Sequence, residues 1–285
     1  MTGGTVAEAL REAARRLEAT SDTARLDAEL LMAKALGTSR SEMLLRRTGA
    51  PAPAGFSALV ERRARHEPVA YILGRQEFYG REFLVTPDVL IPRADSETTL
   101  EAALEAAPEA RRVLDCGVGS GALLLSFLAE RDGAEGTGID RSPEALAVAA
   151  DNAERLGLAD RCDLRIADWT NSAWSAGLGR FDLVLANPPY VEDAAELSPS
   201  VRDFEPGGAL FAGPEGLDDY RALVPQLPEI LAPEGVAVLE IGASQADAVT
   251  QIAASAGLTV EMRRDLGGRS RALILRLSSW QTFIE

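Results

Sequence analysis

Phe181-Asp182-Leu183-Val184-Leu185-Ala186-Asn187-Pro188-Pro189-Tyr190 opens as an apolar run and ends on two prolines. The run reads as a buried strand. Neither proline carries an N–H, so the ladder stops at Ala186 and the chain leaves the sheet in a fixed, extended form. Asn187 precedes a proline and is therefore biased to extended φ/ψ. Its amide is held at the carboxyl end of a strand, where open α/β sheets bind ligands. Asn offers one acceptor oxygen and two donor hydrogens, and the Pro188 carbonyl adds a second acceptor. Two acceptors side by side suit a planar amide –NH2 or the exocyclic amine of a base. A Pro-Pro turn alone is an ordinary way to end a strand, so the weight of this one comes from its neighbours.

From Arg112 onward strands alternate with helices. The pattern predicts strands at 112–116, 135–140, 162–166, 181–186 and 236–241, and helices near 121–131, 143–156, 217–232 and 245–256. Such alternation implies a parallel, doubly wound α/β sheet. The end breaks the pattern. Thr259–Asp265 and Arg271–Leu277 read as two strands joined by Leu266-Gly267-Gly268-Arg269, so at least one strand is antiparallel. Upstream, residues 6–18, a segment after Ser21 and Asp22 that closes on Gly37, a short stretch from Ser41, and Phe56–Ala64 all carry helical spacing, and residues 1–75 read as a small helical bundle. Glu77–Val85 reads as a hairpin turning at Gly80, and a helix runs from Ser96 to about Ala107 with Ser96 or Asp95 as N-cap. The expected organisation is an N-terminal helical domain over 1–75, a hairpin linker over 76–95 and an α/β domain over 96–285.

The 285 residues carry a net charge of −15, unevenly spread. Residues 1–75 hold 12 basic and 9 acidic side chains, whereas the remainder holds 17 basic and 35 acidic, a net of −18. An acidic body repels phosphate backbones, so no direct nucleic-acid partner is expected. No window is long and apolar enough for a membrane span. Met1-Thr2-Gly3-Gly4-Thr5-Val6 has neither a basic segment nor an apolar core, so no secretory signal is expected and a cytoplasmic location is the default. Cys116 and Cys162 are expected as buried free thiols. The single histidine, His66, lies in an Arg-rich segment, which argues against a histidine triad or a His-rich metal site.

Three strand ends precede the Asn187 turn. Asp115-Cys116-Gly117-Val118-Gly119-Ser120-Gly121 is a glycine-rich turn between a strand and a helix. It lets backbone approach a ligand and presents helix N–H groups to an anion. The same letters also fit a dinucleotide fingerprint. Asp140 ends the next strand, where a carboxylate can accept both hydrogen bonds of a ribose diol; the alternative is an N-cap, a role Ser142 already fills. Asp168-Trp169 ends the third, and could take an adenine amine and flank the base, or simply cap a turn and join the core. In order, the three outline an adenosine pocket, and a dehydrogenase has no use for the Asn-Pro-Pro-Tyr turn that follows.

This order resembles the class I S-adenosylmethionine-dependent methyltransferases, whose first motif Asp115–Gly121 is similar to, and the turn resembles that of their amino-methylating branch. Arg25–Gly37, Pro68–Phe78, Val89–Arg93, Gly213–Tyr220, Val238–Gly242 and the Arg-Arg-Asp-Leu run at 263–266 further resemble the bacterial peptide chain release factor glutamine methyltransferases. The resemblance implies methyl transfer from S-adenosylmethionine, with S-adenosylhomocysteine as product, to the glutamine of the Gly-Gly-Gln loop of class 1 release factors by a monomer. It implies Asn187, Pro188 and Tyr190 as catalytic residues and Asn187–Tyr190, Pro189 included, at the substrate. The cofactor would be held by Gly117, Val118, Gly119, Ser120, Gly121, Asp140, Asp168, Trp169 and Asn187, with no metal. Two positions depart from the family: Ala94 stands where a proline is usual, which implies a looser loop, and Gly242-Ala243-Ser244-Gln245 replaces the more usual Gly-Tyr-Gly-Gln. A ribosomal-protein glutamine methyltransferase, a nucleic-acid adenine N6-methyltransferase and a cofactor-binding regulator without catalysis are the rival readings.

Overall fold

The computed structural model describes residues 4–278; Met1–Gly3 of the N-terminal stretch and residues 279–285 of the expected α/β domain lie outside them. The chain divides into two compact units. One takes the described residues up to Arg75 together with Leu197–Phe204, and the other takes Gln76–Glu196 and the residues from Glu205 on.

The first unit is helical: α1 Val6–Leu17, α2 Ala24–Leu36, α3 Arg40–Arg46, α4 Phe56–Ala64 and α5 Val69–Leu73. Val6, Leu10, Ala13 and Leu17 recur at helical spacing and pack with Leu31, Met32, Met43, Phe56, Val60 and Ile72 in one core. Local chemistry sets the boundaries. Thr5 and Glu8 form a reciprocal capping box at α1, and Gly37 ends α2 at φ 63. Ser21 and Asp22 precede α2 as expected; its N-cap is Thr23, which makes no side-chain cap bond because the Ser21 and Thr23 hydroxyls both donate to the Asp27 carboxylate. α3 begins at Arg40, one residue before the expected Ser41, and is capped by Ser39. Asp27 and Arg63 form a buried ion pair at 2.7 Å, and Arg63 also donates to the Thr20 carbonyl and to Ser200 Oγ.

The second unit begins with the hairpin β1 Arg75–Phe78 and β2 Arg81–Leu84, turning through Tyr79 and Gly80, both at positive φ. Then follow α6 Glu97–Ala106, β3 Arg112–Cys116, α7 Ala122–Glu130, β4 Glu135–Asp140, α8 Pro143–Arg155, β5 Cys162–Ile166 and β6 Phe181–Ala186. After the short α9 Pro199–Arg202, which belongs to the helical unit, come α10 Asp218–Leu223, α11 Leu227–Ile230, β7 Leu231–Glu240, α12 Ala246–Ser255, β8 Leu258–Arg264 and β9 Ser270–Leu277. The single helix expected over 217–232 is broken: Pro225 and Pro228 interrupt its hydrogen bonds, a 3-10 turn spans Val224–Gln226, and β7 starts at Leu231 rather than 236.

The sheet order is β5-β4-β3-β6-β7-β9-β8, with β9 antiparallel to both neighbours and the other ladders parallel. Strand alternation feeds two cores. Leu183, Leu185, Val236 and Val238 join one, while Val184, Ala186, Ala237 and Leu239 join the other. The chain runs outward from β3 through β4 to β5, then returns to place β6 on the other side of β3. That reversal leaves a crevice at the carboxyl ends of β3 and β6. Both cysteines are free; Cys116 is buried as expected, whereas Cys162 on the edge strand is only half-buried.

Candidate active site

The sheet register lines up the motifs. Cys116 pairs with Ile139 on one side and Ala186 on the other, and Ala186 pairs with Leu239. Gly117 therefore follows β3 beside Asp140, the last residue of β4, and beside Asn187, the first after β6, with Glu240 next along. Adjacent strands lie about 4.8 Å apart, so residues distant in sequence form a single row along the carboxyl edge.

A cavity of about 310 Å³ opens above that row. Of the residues expected at a site, Gly117, Val118, Gly119, Ser120, Asp140, Trp169, Asn187 and Pro189 line it, whereas Gly121, Asp168, Pro188 and Tyr190 do not. Gly121 sits at φ 83 as the cap of α7, and a Cβ there would stand 2.7 Å from Leu125 of α7 and 3.6 Å from Ala149 of α8, so it serves the start of α7 and its packing against α8. Gly117, at φ 79, leaves room for the Trp169 ring, which would lie 3.2 Å from an added Cβ. Asp140 accepts from the Gly119 N–H through Oδ2 and the Ser142 N–H through Oδ1, both at 3.0 Å. It thus shapes the glycine loop as well as facing the cavity, and Ser142 caps α8 as expected. Asp168 commits Oδ1 to the backbone and hydroxyl of Thr170.

Tyr190 packs among the residues of one core; burial, reinforced by the nearby Glu240 carboxylate, pushes its phenol up to about 12, so it stays protonated at neutral pH. Ser96 stands at the start of α6 without any side-chain cap bond, and Asp95 is spent on Arg271 at 2.8 Å. Ala94–Ser96 form a 3-10 turn, and Asp95 within it pairs with Arg271.

Several residues at the site fall outside the set expected from sequence, although Asp115 opens the glycine-rich motif and Asp219 lies in the Gly213–Tyr220 run. Asp115 is buried, lines the cavity, and has an Oδ1 without a partner; burial, with the Asp140 charge adding to it, pushes its carboxyl up to about 7. An orphaned buried carboxylate oxygen facing a cavity of this size fits a ligand with positive charge, as a sulfonium and an α-amino group would supply. Asp219 accepts the Trp169 indole N–H at 3.1 Å and fixes the ring. Glu205 accepts from the Ile91 N–H at 3.2 Å and from the Arg93 guanidinium, joining the Pro87–Arg93 and Pro206–Ala209 walls. Arg141 donates to the Gly208 carbonyl. Among the described residues no cluster could hold a metal ion, and no helix is long and apolar enough to cross a membrane.

Residues 8–74 match the PrmC N-terminal domain, and residues 108–239 match a methyltransferase domain. A release factor glutamine methyltransferase of Cereibacter sphaeroides is 44% identical over 95% of this chain and 98% of its own. One of Caulobacter vibrioides is 42% identical over 91% and 92%. A solved structure of a release factor-specific protein-(glutamine-N5) methyltransferase from Alicyclobacillus acidocaldarius is 28% identical, covering 68% of this chain and 99% of that one at a TM-score of 0.43. Sequence likeness of this extent, spanning the helical unit as well as the sheet, means that the chain belongs to the family of release factor glutamine methyltransferases.

Proposed function

We propose that this enzyme methylates the side-chain amide nitrogen of the glutamine in the Gly-Gly-Gln loop of class 1 release factors, with S-adenosylmethionine as donor and S-adenosylhomocysteine as product. The observation that carries the reading is the register of β3 against β6, which sets the Asn187 turn beside the glycine loop at one cavity. When bound, the cofactor supplies an electrophilic methyl group on a cationic sulfur. The Gly117–Ser120 backbone, Asp115 and Asp140 would hold its amino acid and ribose, and Trp169 its base, with Asp168 offering Oδ2 to the adenine amine.

An amide nitrogen is a poor nucleophile because its lone pair is delocalised. Asn187 Oδ1 and the Pro188 carbonyl accept the two N–H groups of the substrate amide and hold its nitrogen in line with the methyl group. Orientation of this kind replaces a general base before attack. Held this way, the nitrogen could take the methyl group that the donor would supply, and its extra proton would leave to water only afterward. Tyr190, a neutral phenol, packs beside the amide and excludes water. The helical unit, with its mild positive charge, engages the rest of the release factor.

The test is methyl transfer from labelled S-adenosylmethionine to a purified release factor, to its Gln→Ala loop variant and to DNA in parallel. Label on the wild-type factor alone is expected. Label on DNA, or none on the factor despite cofactor binding, would leave only the family fold standing.

A further inference from the structure

The catalytic turn has an anchoring problem. Pro188 and Pro189 have no N–H, so the middle of the turn cannot be tied down through backbone donors. Its downstream end is fixed from outside. Val191 donates to the Leu210 carbonyl at 2.8 Å, and the Tyr190 carbonyl accepts from Gln245 Nε2 at 3.0 Å.

Gln245 opens α12 and is 9% exposed. Its amide is fully engaged. Nε2 donates one hydrogen to Tyr190 and the other to the Gly216 carbonyl at 3.0 Å, while Oε1 accepts the Gly242 N–H at 3.0 Å. The partners dictate the orientation, since a flipped amide would set an oxygen against two carbonyl oxygens. Three segments remote in sequence are thereby joined by one carboxamide: the catalytic turn, the turn before α10 and the loop after β7. The fit is close. A Cβ added at Gly216, which sits at φ 66, would stand 2.3 Å from the Tyr190 oxygen and 2.8 Å from Gln245 Nε2. Gln245 does not line the cavity.

We infer that Gln245 is a positioning residue for methyl transfer, setting the Asn187–Tyr190 turn through the Tyr190 carbonyl. The inference rests on the proposed role of that turn. Removing the bond frees the end of a segment whose acceptors must sit within a fraction of an ångström of their working geometry, and a shift of about 1 Å costs on the order of 100-fold in rate.

The test compares wild type, Gln245→Glu, Gln245→Asn and Gly216→Ala on the release factor, measuring kcat, acceptor KM, cofactor Kd and melting temperature. Wild-type transfer is established first; its failure would refute the proposed function, and this inference with it. With wild type active, Gln245→Glu is expected to lower kcat by on the order of 10- to 100-fold at about pH 8 while cofactor Kd stays within about twofold. The introduced carboxylate faces two carbonyl oxygens, so its folded pKa is raised. Below that pKa it is protonated and regains an O–H donor, hence kcat recovers toward wild type as pH falls from about 8 to about 6. Gln245→Asn, too short to reach, loses kcat without recovery at low pH. Gly216→Ala pushes on the same carbonyl from the other side and gives the same kcat loss, deciding the matter if the Gln245→Glu protein does not fold. Folded variants with wild-type kcat, or kcat, Kd and melting temperature falling together with no recovery at low pH, would overturn the inference.

Discussion

Cofactor affinity should fall about tenfold between pH 8 and pH 6, and Asp115 should be the cause. Its side chain is buried, its Oδ1 has no partner, and burial pushes its carboxyl up to about 7. A cationic ligand binds the ionised form. With a pKa about 7, the carboxyl is roughly nine-tenths ionised at pH 8 and one-tenth at pH 6, and that ratio is the tenfold loss, about 1.4 kcal/mol. Near pH 7 binding should release about half a proton from this group. Calorimetric titration with S-adenosylmethionine in two buffers of different ionisation heat measures both quantities. The α-amino group of the ligand titrates in the same range, so the readout is the difference between wild type and Asp115→Asn. The variant should bind more weakly at pH 8 and show a flatter profile. An identical pH slope in the two proteins would remove Asp115 from the account.

Four other outcomes follow from the geometry. Asn187→Ala should cut turnover by on the order of 100-fold or more while cofactor Kd stays within about threefold, because on the proposed reading the acceptor it removes serves chiefly the substrate amide; parallel transfer and binding assays check it. Glu205→Ala leaves the Ile91 N–H and the Arg93 guanidinium without their acceptor; at about 1–3 kcal/mol for such a loss, cofactor dissociation measured by stopped flow should speed up by roughly tenfold. Asp27→Asn strands the buried Arg63 and should cost about 3–5 kcal/mol in urea unfolding, whereas replacing both by apolar residues of similar size should cost far less. In the ligand-free protein Asp115 and Glu240 both have carboxyls raised to about 7, so each contributes stability that is full below the ordinary carboxylate range and is lost as pH rises through about 7. With ceilings of about 4 and 3 kcal/mol for the two groups, the melting temperature should drop between pH 5 and pH 8, and less so in Asp115→Asn.

Most of the fold was legible because the signals that set it are local. Two prolines end β6 wherever they fall, glycines end β3, and Ser142-Pro143 start α8, so strand ends could be placed to within a residue or two. Parallel alternation then required those ends to share one edge, which is why Gly117, Asp140 and Asn187 could be grouped from sequence. The failures were also local in origin. Helical periodicity over 217–232 concealed the breaks at Pro225 and Pro228, and at α6 Ser96 makes no cap bond while Asp95 pairs with Arg271.

By itself, then, the sequence determined the α/β class, the helical N-terminal unit and the row of motifs that ends in the Asn187-Pro188 turn, since each depends on residues a few positions apart. Only the tertiary structure decided that Asp115 keeps an unpartnered oxygen, that Asp168 turns to Thr170, and that Glu205, Asp219 and Gln245 hold the cavity walls and the Asn187–Tyr190 turn. Glu205, Asp219 and Gln245 work through contacts spanning 50 to 114 positions. A side chain's partners at such separations depend on how loops close over the sheet, and no periodicity or spacing in the chain encodes that.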